Sequence, residues 1–89
     1  MNKSVDTQED KAFVLASGKK LRSLVELAKY LENPRNDIYL YHTQKTNDFS
    51  QWITDVFHDE ELAKKLRESK NNKEAAYETY KHLATRYTN

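Results

Sequence analysis

The stretch that most constrains this chain is Asn47–Asp59, NDFSQWITDVFHD, which holds the only Trp and two of the three Phe. Phe49, Trp52, Ile53, Val56 and Phe57 fall at i, i+3, i+4, i+7 and i+8, the spacing of one helix face. A face this aromatic needs partners of matching size. The rest of an 89-residue chain must therefore wrap around it as one domain.

Those partners are sparse, because hydrophobic residues make up 37% of the chain and charged residues 33%. Six Tyr help, each adding a large ring whose polar end can stay wet. Homo-oligomerisation would relieve the same shortage. The expected domain covers residues 12–89, preceded by a polar, aperiodic arm over residues 1–11 that reads as disordered.

Local signals mark the other elements. Ala12–Ala16 (AFVLA) is a short apolar run before the Ser17-Gly18 turn, readable as an extended segment along the core or as a helical lead-in. Gly18, the only Gly, suits a positive-φ turn or a close backbone approach. Ser23 with Glu26 forms a capping box that opens a helix bearing Leu24, Leu27, Ala28 and Leu31 on one face. Asn33-Pro34 closes it, since the residue before Pro is driven out of helical geometry.

Arg35–Gln44 fits both a short helix through Ile38, Tyr41 and His42 and an alternating strand; the helix is preferred, because a strand here has few partners. Asn47 or Asp48 caps the aromatic helix, and Asp48 with Gln51 repeats the capping-box pattern. Asp59 opens the next helix, with Glu60 and Glu61 in its first turn and Leu62, Ala63 and Leu66 on its inner face. Asn71 with Glu74 caps a final helix to about Tyr87, whose inner face is read as Ala76, Tyr80, Leu83 and Tyr87, widened by Tyr77 and Ala84. The predicted fold class is mostly all-α, a bundle of four to five short helices with a short extended segment at Ala12–Ala16. Its core would be Phe13, Leu24, Leu27, Leu31, Phe49, Trp52, Ile53, Val56, Leu62, Leu66, Tyr80 and Leu83.

Phe13, Gly18, Ser23-Leu24-Val25-Glu26-Leu27, Tyr41-His42, Asn47-Asp48-Phe49, Trp52-Ile53, Asp55-Val56, and Asp59 with Leu62-Ala63 form one pattern between Phe13 and Leu66. In that pattern the chain resembles a small family of prokaryotic, mainly archaeal domains. The resemblance implies a shared fold, and brings neither an activity nor a catalytic residue.

Composition demotes several functions. With no Cys, disulfides and thiolate metal sites are excluded, and with one Gly no phosphate-cradling loop can be built. A net charge of +1 argues against a generalised nucleic-acid binder. No apolar run reaches transmembrane length, and the polar start is unlike a signal peptide, so the expected location is cytoplasmic.

Three functional readings remain. A non-enzymatic domain that binds another protein, or itself, would use Tyr30, Tyr39, Asp55, His58 and Asp59. A nucleic-acid-associated protein would bring Lys19, Lys20, Arg22, Lys64, Lys65, Arg67 and Lys70 to phosphates. A metal or catalytic site would centre on His42, or on Asp55 and His58 with Asp59 or Glu61. The first is preferred, with no enzyme activity, cofactor or metal. His42 has neither a nucleophile nor an oxyanion device nearby, so its expected role is structural, bonded to backbone or to Asp48. Charge along the chain is uneven. Asn47–Glu61 carries five acids and no base, whereas Leu62–Asn89 carries seven bases against three acids, which suggests a two-sided molecule.

Overall fold

The computed structural model describes residues 6–7 and 9–87. A 3-10 turn at Glu9–Lys11 leads into β1 (Phe13–Val14) and β2 (Lys20–Leu21), followed by α1 (Leu24–Glu32) and α2 (Asn36–Thr43). The aromatic helix α3 (Asp48–Trp52) runs on into a π-wound turn, Ile53–Phe57. Two more helices, α4 (Glu60–Glu68) and α5 (Asn72–Arg86), complete a mostly helical bundle.

The apolar run near the start is extended, and it finds a partner the sequence did not advertise. β1 and β2 pair antiparallel, with Phe13 opposite Leu21 and Val14 opposite Lys20. The Gly18 amide donates to the Leu15 carbonyl at 2.8 Å, and the Leu15 amide donates to Lys19 at 2.8 Å. Gly18 has φ +95° with open space where a Cβ would stand, so conformation and not crowding calls for glycine there. Two-residue strands are too short to show a period, which is why Lys20–Leu21 was missed. The pairing extends upstream: Asp6 bridges Ser23, and the Thr7 amide donates to the Arg22 carbonyl. The arm expected to be disordered over residues 1–11 is therefore structured at Asp6, Thr7 and Glu9–Lys11, held by backbone hydrogen bonds that need no apolar pattern. Met1–Val5 and Gln8 lie outside the described residues.

Caps form where short patterns foretold them. Ser23 Oγ accepts from the Glu26 amide and Asn71 Oδ1 from the Glu74 amide, at 2.9 and 2.8 Å. In both boxes the Glu reaches one residue further back, to the Arg22 and Lys70 amides. Asn47, not Asp48, caps α3, and the anticipated Asp48–Gln51 box does not form. Asp48 turns to His42 and Gln51 to Asp55 instead.

Around Phe49 the core collects Phe13, Trp52, Ile53, Leu24, Leu27, Leu31, Leu62 and Leu66, together with Leu15 and Leu21 from the hairpin. Phe13 stacks on Phe49 at 4.8 Å and meets Trp52 edge-on at 5.7 Å. The Trp52 indole N–H donates to the Lys11 carbonyl at 2.8 Å, tying the chain's start to the aromatic helix.

Two expectations about the core are corrected. The π turn widens the helix after Trp52, so Val56 and Phe57 pack against the core half-buried. It ends at His58, which is left-handed at φ 55°. On α5 the buried face runs through Ala75, Ala76, Thr79 and His82, not through Tyr80. Tyr80 is 39% exposed, with its hydroxyl on Glu32, and Leu83 is half-buried. α1 makes its most extensive packing against α5. Small residues let two helices approach closely, and the buried face of α5 carries Ala75, Ala76 and Thr79 while Tyr77 and Tyr80 are exposed.

Candidate functional site

Two histidines are buried, each against an aspartate. His42 lies at the end of α2, where its Nε2 accepts the Ala16 amide at 3.0 Å, 26 residues away in sequence. Its Nδ1 lies 3.0 Å from Asp48. Since an amide can only donate, the proton sits on Nδ1 and is given to the carboxylate. Both partners expected for a structural His42 are thus engaged at once.

His82 and its partners were not foreseen as a unit. Asp59 Oδ1 accepts the Leu62 amide at 3.0 Å, while its Oδ2 lies 2.7 Å from both His82 Nε2 and the Tyr87 hydroxyl. Burial raises the Asp59 pKa. The Leu62 amide, Tyr87 and His82 together outweigh that and hold it below the usual carboxylate value. Burial, reinforced by Asp59, pushes the Tyr87 hydroxyl far above its ordinary value. An ionised Asp59 only accepts, so His82 carries its proton on Nε2. Its Nδ1 is buried without a hydrogen-bond partner among the described residues. The signal available in the sequence was a polar pair, Thr79 and His82, at helical spacing on the small-residue side of α5.

This geometry corrects the surface role given to Asp59. It is 4% exposed and unavailable to a partner. Asp55 and His58 are exposed, but the π turn and the left-handed His58 remove the regular three-residue helical relation read from their spacing. Among the described residues no group of three His, Asp or Glu side chains could hold a metal ion.

The acidic stretch is also less available than its sequence suggested. Asp48 meets His42, Asp59 is sealed in, and Glu60 pairs with Arg67. Glu61 pairs with Arg86 and Lys65, and Asp55 accepts from the Gln51 amide group. The Arg67 hydrogen bond, helped by Thr54, lowers the Glu60 pKa, and Arg86 does the same for Glu61.

The basic residues part into separate places. Lys19, Lys20 and Arg22 line a cleft of about 530 Å³ with Lys29, Glu26 and Tyr30. Arg67 and Lys70 line another of about 600 Å³ with Lys45, Tyr39 and Leu40, between α2 and the α3–α4 corner. Lys64 is exposed, and Lys65 is occupied by Glu61; neither lines these clefts. Tyr30 and Tyr39 are half-buried against Phe49, with centroids 6.1 and 6.2 Å away, so only part of each ring is offered outward. Lys45, which the charge reading overlooked, is brought to the cleft by the turn after α2.

No protein family, curated protein or solved structure matches this chain. Among the described residues no helix is long and apolar enough to cross a membrane.

Proposed function

We propose that this is a non-enzymatic binding domain that works through contacts with another protein, a second copy of itself included. One observation carries the reading: Leu40 and Tyr41 stand 46% and 65% exposed, side by side on α2. His42 is the only buried residue of that helix, and Leu40 forms the lip of the larger cleft. Adjacent exposed Leu and Tyr beside a concavity are what an interface anchor requires. In the arrangements that invite a catalytic reading, His42 Nε2 is taken by the Ala16 amide, and His82 Nε2 and the Tyr87 hydroxyl by Asp59. A cytoplasmic location belongs to the same proposal, supported by the absence of Cys. So does the family resemblance, which adds no activity.

The test is association measured by sedimentation over a wide concentration range, alongside capture of partners from lysate, for the wild type and for a Leu40→Ser/Tyr41→Ser variant. The expected result is self-association or a recovered partner that the variant loses at unchanged melting temperature. A protein that stays monomeric and recovers no partner overturns the proposal.

A second reading, association with nucleic acid, is favoured by one feature: both clefts are rich in cations and each has a Tyr at its edge. It expects a labelled oligonucleotide to bind at about 50 mM salt and to be released steeply as salt rises. No binding at that salt disposes of it.

A further inference from the structure

We propose that the cleft between α2 and the α3–α4 corner receives an acidic peptide segment of a partner protein, with an apolar side chain against Leu40 and carboxylates against Lys45, Arg67 and Lys70. This rests on the protein-binding reading above and names the chemistry of its partner.

The lining of the cleft includes three cations and no carboxylate. Arg67 is held in place from both sides, Nη1 donating to buried Ser50 at 2.8 Å and Nη2 to Glu60. Lys45 and Lys70 make no side-chain ion pair among the described residues, in a chain where Glu60 and Glu61 are paired with cations. The cleft therefore presents two unneutralised ammonium groups around a fixed guanidinium, a cation-rich concavity complementary to carboxylates. Other polar groups of the wall are already used. Asn47 bonds the Leu66 carbonyl and caps α3, Ser69 bonds Lys65, and Thr43 bonds Tyr39. What remains on offer is positive charge beside the apolar edge of Leu40.

A peptide suits this site better than a nucleic-acid strand. Tyr39 is half-buried and already stacks on Phe49 with an interplanar angle of 19°, so it offers a base no more than one partly covered face. The wall also joins the cations to the exposed apolar side chain of Leu40, which an apolar peptide side chain can cover and a run of phosphates and sugars leaves unmatched. The chain's own acidic stretch is a poor occupant, since its carboxylates other than Asp55 are engaged with His or basic side chains within the fold. The occupant proposed is accordingly a segment of a different protein, not this chain's Asn47–Glu61 stretch.

The experiment is an amide ¹⁵N–¹H NMR titration of the whole chain with a synthetic Glu- and Asp-rich peptide carrying one central Leu. Parallel titrations use the same peptide with its acids replaced by Gln, and a single-stranded thymidine oligonucleotide. The acidic peptide is expected to shift amides of residues 43–51 and 67–70, and the Gln peptide to leave them still. A Lys45→Glu/Lys70→Glu variant, its spectrum otherwise unchanged, is expected to weaken binding at least about tenfold. Absence of shifts in those amides at millimolar acidic peptide overturns the proposal, as does undiminished binding by the variant. Tighter binding of the oligonucleotide at the same amides also overturns it, in favour of the nucleic-acid reading. If the peptide fails while Leu40→Ser/Tyr41→Ser still abolishes partner capture, the cleft assignment alone is wrong and the protein-binding reading stands.

Discussion

The two buried His–Asp pairs look alike in composition and differ in what surrounds them. His42 joins the hairpin to the start of α3, and its Asp48 partner keeps 43% of its side chain in water. His82 joins the end of α5 to the start of α4, and both it and Asp59 are almost completely enclosed. At the first pair the imidazole does the tethering, through the Ala16 amide, and the carboxylate is an accessory that water can replace. At the second, the carboxylate is the hub. Three donors converge on it, none of which can turn to solvent instead. The same two residue types therefore carry unequal loads, decided by which member is cut off from water.

Mutations sharpen this contrast. The largest effect is expected from Asp59→Ala, which strands the Leu62 amide, His82 and Tyr87 in the core. Its cost is about 3–5 kcal/mol in urea unfolding, of the order seen when one member of a buried pair is removed. Trp52→Ala should cost a similar ~3–5 kcal/mol at the other end, where it empties the aromatic contact with Phe13 and frees the Lys11 carbonyl. An intact circular dichroism spectrum and melt for that variant would show that the core has been misplaced. Tyr87→Phe keeps the ring and removes one donor to Asp59, for about 1–2 kcal/mol. Asp48→Ala should cost no more than ~1 kcal/mol, since its partner keeps the Ala16 bond and the carboxylate is half in water. If Asp48→Ala proves as damaging as Asp59→Ala, the comparison fails.

Acid should act on the second pair too. The folded Asp59 pKa lies below its unfolded value, so the stabilisation is fully present above the unfolded pKa and is lost as pH falls through the folded one. Unfolding free energy should therefore drop below about pH 4, and Asp59→Asn should flatten that drop although it lowers stability at neutral pH. An equal acid dependence in both proteins would place the sensitive carboxylate elsewhere.

The contrast also separates what the sequence could reveal from what it could not. Ser23, Asn71 and Asp59 were legible as caps because a cap is settled within four residues. His42 was legible as structural because Asp48 lies six residues away and no reacting partner accompanied it. Asp59's other partners are 23 and 28 residues distant, and only the packing of α4 on α5 brings them to it. A different packing, that of α5 on α1, decided the inner face of α5. A hydrophobic count favoured Tyr80, whereas close approach to α1 favoured Ala75, Ala76 and Thr79 and carried His82 inward with them. The cleft was half legible. Arg67 and Lys70 stood out as bases, but Lys45 joins them only through the turn after α2, and Leu40 from α2 itself. The pairing of Glu61 with Arg86 of α5 left no sequence trace, whereas Glu61–Lys65 and Glu60–Arg67 share one face of α4.

The most direct test of this account is a long-range ¹⁵N–¹H spectrum of the two imidazoles near neutral pH. It should show a proton on Nδ1 and none on Nε2 in His42, and a proton on Nε2 in His82, each in slow exchange with water. A shared tautomer, or ring protons that exchange as freely as those of exposed His58, would contradict it.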